Sequence, residues 1–119
     1  MMGININDKA QPFTSQILDG TKVIETRRTQ SLRPYVGKRV GIVRTGVGKA
    51  TLVGYATVGE PLWYGTPEEF AADYTRHLVG AGSPHDCDSR GKFGYPLTDI
   101  VACEPQPVTS RGIVARRIA

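Results

Sequence analysis

The sequence is poor in cysteine and in long apolar runs, and each shortage removes a class of protein. Its two cysteines, Cys87 and Cys103, are too few for the disulfide framework of a small secreted domain, so both thiols are predicted to be reduced. No apolar run approaches the ~20 residues that a membrane-spanning helix requires. The first residues also lack the basic-then-apolar pattern of a signal peptide. We therefore expect a cytoplasmic protein with no membrane partner.

The motifs of common metal and nucleotide sites are missing as well. His77, His85 and the two cysteines do not fall into C-x-x-C or H-x-x-x-H spacing, which argues against a zinc site. The segment Gly46–Thr51 superficially resembles a phosphate-binding loop. However, Val43 stands where that motif requires its first glycine, and Ala50 replaces the hydroxyl residue. We predict no cofactor and no metal site.

Glycine and proline are plentiful instead, with 14 and 8 residues in a chain of 119. This content predicts many turns and short strands, which favours a small mixed α+β domain or a partly open barrel. A hydrophobic content of 39% with 22% charged residues is ordinary for a globular protein, so we expect residues 1–119 to form a single domain. The formal net charge of +4 favours a polyanionic partner such as nucleic acid.

Strands are predicted where β-branched and apolar residues lie between turn signals. The segments Val40–Arg44 and Thr51–Val58 are separated by turn glycines and predict a hairpin. Ser83–Lys92 is mostly polar and predicts an exposed loop. The other predicted strands are Ile4–Ile6 as a short edge strand, Thr21–Arg27, Gly94–Ala102 and Gly112–Ile118, the last two joined through Glu104–Ser110.

Two helices are predicted from their end signals. Pro12 suits the first turn of one helix, and Gly20 suits its end. Thr66 predicts the N-cap of the second, because Pro67 follows at the first helical position and Glu69 lies three residues after the cap. For this second helix we predict a buried stripe of Phe70, Tyr74 and Leu78, an end at Gly80 and Gly82, His77 at the helix edge, and Trp63 in a buried plug before it.

The segment from Gly20 to Arg28 concentrates charge of both signs beside a glycine turn. On an extended strand Glu25 and Arg27 project from one face, and a bulge near Gly20 would bring Lys22 to the same side. Two cations and a carboxylate at one point suit a phosphate or a polar base. A guanidinium grips phosphate, and a carboxylate accepts from an exocyclic amine. A solvated strand face with a weak ion pair is the alternative that these residue types leave open.

The string G-T-K-V-I-E-T-R at residues 20–27 resembles the signature of the ASCH domain family, a branch of the PUA-like fold. The pattern of an apolar helix end followed by G-x-K-x-x-E-x-R is matched at Ile17, Leu18, Gly20, Lys22, Glu25 and Arg27. Later stretches resemble the last core strand of the family, its proline-bearing exit and its closing segment: Lys92–Ile100, Glu104–Val108 and Arg111–Ile113. The resemblance implies an α+β fold, a small PUA-like mixed β-barrel with two or more short helices, and a cleft lined by the Lys-x-x-Glu-x-Arg strand.

Relatives in this family are thought to bind RNA or modified nucleobases. The resemblance therefore implies RNA, another single-stranded nucleic acid or a modified nucleoside as the partner. One bacterial branch is an amidohydrolase of acetylcytidine with lysine at the position of Lys22, threonine at that of Glu25, and a glutamate from the helical region where Glu68 and Glu69 lie here. Other relatives are reported as ribonucleases. If the chain is an enzyme, Lys22 and Glu25 are its predicted catalytic residues.

The predicted ligand-binding residues are Lys22, Glu25, Arg27, Arg28, Tyr64 and Tyr95. The two tyrosines are included because aromatic rings beside basic residues stack on bases. Binding of RNA or a modified nucleobase is the first hypothesis. A small hydrolase acting on acylated cytidine or on RNA is the second, and a non-catalytic adaptor is the third.

Overall fold

The computed structural model describes all 119 residues and has seven strands with three short α-helices. In chain order the elements are β1 (Met2–Asn7), α1 (Phe13–Leu18), β2 (Ile24–Arg27), β3 (Arg39–Thr45), β4 (Thr51–Val58), β5 (Leu62–Tyr64), α2 (Pro67–Ala72), α3 (Tyr74–His77), β6 (Lys92–Pro107) and β7 (Ala115–Arg117), with a 3₁₀ turn over Arg33–Tyr35. The α+β class predicted from the sequence is confirmed. No helix is long and apolar enough to cross a membrane.

All seven strands belong to one curled sheet in the order β2-β6-β4-β3-β1-β7, with β5 also alongside β6. The pair β1–β3 is parallel, and the other pairs are antiparallel. The long strand β6 pairs with β2 and β5 near its start and with β4 further on. Curling brings the two ends of the sheet together, since Arg27 Nη2 on β2 donates to the Asn5 carbonyl oxygen on β1 at 2.6 Å. The result is a half-barrel, in agreement with the predicted fold.

The core fills the inside of this curl. Helix α1 packs against β1, β3 and β6, and its Phe13 and Ile17 join the buried isoleucines Ile4, Ile6 and Ile42 in one apolar cluster. Each fully buried side chain of this kind contributes about 1.5–3 kcal/mol relative to exposure. Apolar burial therefore supplies the driving force that holds the curl closed around α1.

The end signals of the second predicted helix are confirmed, but its interior is not. Thr66 Oγ1 accepts from the Glu69 backbone N–H at 3.1 Å, and Pro67 is the first helical residue. The helix then stops at Ala72, and the separate helix α3 ends at His77 rather than near Gly80.

The break between α2 and α3 changes the buried face, so the predicted stripe is wrong beyond Phe70. Tyr74 is 47% exposed and Leu78 adopts a left-handed conformation, whereas His77 is fully buried and not at the helix edge. The break falls at Asp73, whose carboxylate accepts from Tyr64 Oη at 2.5 Å. Helical spacing in the sequence does not reveal this tertiary contact. Beyond it, different residues of the helical region face the core.

Several predicted boundaries also need correction. Strand β1 lies between β3 and β7 and is not an edge, because the chain returns at its C-terminal end to cover it. Strand β2 begins at Ile24, three residues later than predicted, and β6 extends into the predicted linker Glu104–Ser110 as far as Pro107. Strand β7 covers only Ala115–Arg117, and the polar loop before β6 contains a buried Cys87. Trp63 is 52% exposed rather than a buried plug.

Candidate functional site

A cavity of about 350 Å³ lies at the seam of the half-barrel, which we define as the gap between β2 and the β1–β7 end of the sheet. Polar and charged side chains make up most of its wall. They come from both ends of the sheet and from two loops: Asn5, Asn7, Lys22, Glu25, Thr26, Arg27, Thr45, His85 and Arg116, with Phe13, Val79 and Ile113 among the apolar residues. The cleft expected beside the Lys-x-x-Glu-x-Arg segment therefore coincides with a cavity.

Lys22 reaches the cavity because the chain is not yet a regular strand where it lies. Gly20 has a φ of +86°, which ends α1 in a conformation that favours glycine. Asp19 then holds the turn by accepting from the Thr21 backbone N–H at 2.9 Å and from its hydroxyl at 2.6 Å. The Lys22 backbone N–H returns to the Gln16 carbonyl oxygen at 2.9 Å. This turn frees Lys22 from strand alternation, so its Nζ lies 3.8 Å from Glu25 Oε1.

The Lys22 ammonium is one of the most buried charges in the chain, with a residue exposure of 1%. Its Nζ donates to the His77 carbonyl oxygen at 2.5 Å and lies 4.7 Å from the centre of the Phe13 ring. Burial lowers the pKa of Lys22 from 10.5 to about 8. The carboxylate of Glu25 opposes this shift, and the positive charges of Lys92 and Arg27 add to it. At pH 7 this amine is therefore mostly protonated, with a neutral minority of about one molecule in ten.

His77 holds the carbonyl oxygen that Lys22 uses. Its ring stacks on Phe70 with a centroid distance of 3.9 Å. Nδ1 accepts from the Val79 backbone N–H at 2.9 Å, so the proton of the neutral ring lies on Nε2, which donates to the Phe70 carbonyl oxygen at 2.7 Å. Burial lowers the pKa of His77, in keeping with this neutral form. We read His77 as a positioning residue for Lys22.

Glu25 and Arg27 form an ion pair on β2, and Arg27 also reaches across the seam. Arg27 Nη2 lies 2.9 Å from Glu25 Oε2 and also donates to the carbonyl oxygen of Asn5 on the opposite wall. The buried Arg27 Nε has no hydrogen-bond partner. Buried donors are nearly always satisfied in folded proteins, so this unpaired N–H is an unusual feature of the Arg27 guanidinium.

His85 and Arg116 complete the cavity, although sequence reasoning considered His85 only as a zinc ligand and Arg116 only as general basic charge. The His85 backbone N–H donates to Ser83 Oγ at 3.1 Å, and its carbonyl oxygen accepts from Lys92 Nζ. The His85 ring lines the cavity and contacts the Phe13 ring edge-on, with centroids 5.5 Å apart. Burial, followed by the charge of Lys92, lowers the pKa of His85. Arg116 Nε donates to Asn5 Oδ1 at 2.9 Å. Neither residue belongs to a local motif, so nothing in the sequence marks them.

Three predicted ligand contacts lie outside the cavity. Arg28 is exposed and pairs with Asp88 at 3.7 Å. Tyr64 is buried against Asp73, and burial raises the pKa of its hydroxyl. Tyr95 is fully buried in the apolar core. The structure thus brings together Lys22, Glu25 and Arg27 but not these three, and no three His, Cys, Asp or Glu side chains gather as a metal site.

The curled sheet with its short helices is the fold of ASCH domains. A crystal structure of ASCH from Zymomonas mobilis matches with a TM-score of 0.66 and 19% identity, covering 90% of this chain and 73% of that one. Structures of two point mutants of the same protein match with TM-scores of 0.67 and 0.69 at 18% and 17% identity. They cover 90% and 99% of this chain, and 75% and 87% of theirs. No family model and no curated protein sequence matches the chain. The resemblance seen in the sequence is therefore confirmed at the level of the fold.

Proposed function

We propose that the seam cavity binds a nucleobase of RNA or a modified nucleoside through Lys22, Glu25 and Arg27. The observation that carries the proposal is the buried cation–carboxylate–cation cluster beside an unpartnered Arg27 Nε. A volume of about 350 Å³ lies at the lower end of the range for small-molecule sites. Such a volume suits one base with its sugar better than a folded nucleic acid.

The chemistry of the wall supports a base with both donor and acceptor edges. Glu25 accepts from an exocyclic amine, as carboxylates do with cytosine, and the Arg27 guanidinium donates to a carbonyl oxygen. Arg116 on the opposite wall adds a third cation. Against one carboxylate these cations favour an anionic ligand, so a nucleotide should bind more tightly than its nucleoside.

A hydrolase is the second candidate, and one observation favours it. Lys22, with a pKa of about 8, shares the cavity with the His85 imidazole, whose pKa is also lowered. Lys22 would be neutral in about one molecule in ten at pH 7, enough to serve as a base or nucleophile toward an acylated amine. In a ribonuclease, His85 would take the 2′-hydroxyl proton as the 2′-oxygen attacks phosphorus, Arg27 would stabilise the phosphorane, and the Lys22 ammonium would give a proton to the departing 5′-oxygen.

The decisive experiment is a titration of the protein with cytidine, acetylated cytidine, CMP and short single-stranded RNAs at two salt concentrations. We expect binding that weakens with salt for the anionic ligands. Arg27→Ala and Glu25→Gln should each reduce it, whereas Lys49→Met, at an exposed hairpin tip, should not. Product analysis by chromatography separates the two candidates, because only a hydrolase turns substrate over and loses turnover in Lys22→Met. Absence of binding and of turnover for every ligand would leave the adaptor hypothesis.

A further inference from the structure

An aromatic pair lies on β5 and β6, with its indole exposed and its phenyl ring half-buried against the core. Trp63 on β5 is 52% exposed and contacts Phe93 on β6, with ring centroids 4.7 Å apart and planes inclined at 49°. Tryptophan is usually highly buried on average, because its large apolar ring gains much from leaving water. A tryptophan ring that stays half-exposed is therefore a candidate binding surface.

Two glycines, Gly65 and Gly91, leave the space that the indole occupies. A Cβ atom at Gly91 would lie 2.5 Å from Trp63 Cζ2, so only glycine leaves room for the ring. Gly65 lies on the same side chain, and a Cβ there would be 3.2 Å from Trp63 Nε1. The ring thus rests against backbone on one side and is open to solvent on the other. A bound group would find it already ordered.

The strand register connects the indole to the cavity. Arg27 on β2 is paired with Phe93 on β6, and Phe93 is paired with Trp63 on β5. Side chains of directly opposed residues share one face of a sheet, so these three form a row. Two strand spacings separate the backbones of its ends, about 10 Å. A single base held at Arg27 does not reach the indole, but the next nucleotide of the same strand does.

Positive charge flanks the row. Arg28 follows Arg27, and Arg90 precedes Gly91; both are exposed, and both pair with the one carboxylate of Asp88, at 3.7 and 2.7 Å. These two guanidinium groups outnumber the Asp88 carboxylate, while a second carboxylate, that of Glu69, is held on the other side of the indole by the Gly65 backbone N–H at 3.1 Å. Arg side chains with exposed donors suit a phosphate linking the two bases.

We propose that Trp63 and Phe93 form a stacking platform for a second base, so that the ligand of this protein is a single strand of at least two nucleotides. The proposal rests on the proposed function, because it takes the first base to lie in the seam cavity. The platform adds sequence-tolerant affinity, since every base presents a π-face. The cavity then selects the base that precedes or follows.

Binding of fluorescently labelled RNAs to Trp63→Ala, Trp63→Phe and wild type tests the platform. Trp63→Ala should weaken binding of a pentanucleotide about five- to 150-fold, the range that stacking of one base supplies. Trp63→Phe should recover most of the loss, and CMP should bind all three proteins alike. Val101→Ala is the matched control, because Val101 is 53% exposed on a distant part of β6.

The chain contains a single tryptophan, so its fluorescence reports on the platform directly. A pentanucleotide should quench it, and CMP should not. Equal affinity of Trp63→Ala and wild type for the pentanucleotide, or binding without quenching, overturns the platform and leaves the cavity proposal standing. Failure of both CMP and the pentanucleotide to bind overturns both.

Discussion

Replacing Lys22 by methionine should change how the stability of the protein depends on pH. Methionine keeps an unbranched chain of similar length but has no amine to charge. Lys22 is almost completely buried at the cavity wall, and burial lowers its pKa from 10.5 to about 8. The unfolded chain exposes this amine to water and restores its ordinary pKa. The folded state therefore binds this proton less tightly than the unfolded state.

The sign and size of the effect follow from that difference. Below pH 8 the amine is protonated in both states, and the folded state bears the whole cost of burying the charge. Between pH 8 and 10.5 the folded state releases the proton while the unfolded state keeps it, so stability rises with pH. At about 1.36 kcal/mol for each pH unit the full cost is roughly 3 kcal/mol, of which roughly 2 kcal/mol is relieved between pH 7 and 9.5.

Urea unfolding of wild type and Lys22→Met at a series of pH values measures this relief. Between pH 7 and 9.5, the free energy of unfolding of wild type should rise by roughly 2 kcal/mol more than that of the variant. The other titratable groups are present in both proteins, so the difference between the two curves reports on Lys22. Lys49→Met should run parallel to wild type, because Lys49 is exposed. Parallel curves for Lys22→Met would refute the reasoning and show an amine with an ordinary pKa.

Two further changes test the neighbours of Lys22. Glu25→Gln removes the carboxylate that opposes the lowered pKa of Lys22, so the rise of stability with pH should begin at a lower pH than in wild type. An unchanged onset in the same urea series would contradict the pairing at 3.8 Å. Phe70→Ala removes a fully buried ring stacked on His77 and should lower the free energy of unfolding at pH 7 by about 3–5 kcal/mol. A loss below about 1 kcal/mol would mean that the surrounding chain collapses into the space.

The sequence was informative where the physics is local. The cap at Thr66 and the hairpin of β3 and β4 depend on neighbouring residues, and both are present. The convergence of Lys22 and Glu25 follows from the turn at Gly20, which four or five residues determine. These features therefore need no knowledge of the rest of the chain.

The features that sequence reasoning missed all depend on contacts between distant segments. Strand β1 is interior only because β7, more than one hundred residues later, pairs with it. His85 and Arg116 reach the cavity from a loop and from the last strand, and nothing beside them in the sequence indicates this. Asp73 shifts the phase of the helical region through its bond to Tyr64, so spacing alone placed Tyr74 on the wrong face.

The seam also determines how far the cavity can widen when a ligand binds. The sheet is held by backbone ladders, but β2 is joined to β1 through the side chain of Arg27 rather than by a ladder. Separating these two ends by an ångström or two would exchange a few side-chain contacts, each worth about 1 kcal/mol, and would leave every strand pair intact. A small widening at the seam therefore breaks no backbone ladder. Ligands of different width could be accommodated there without loss of the fold.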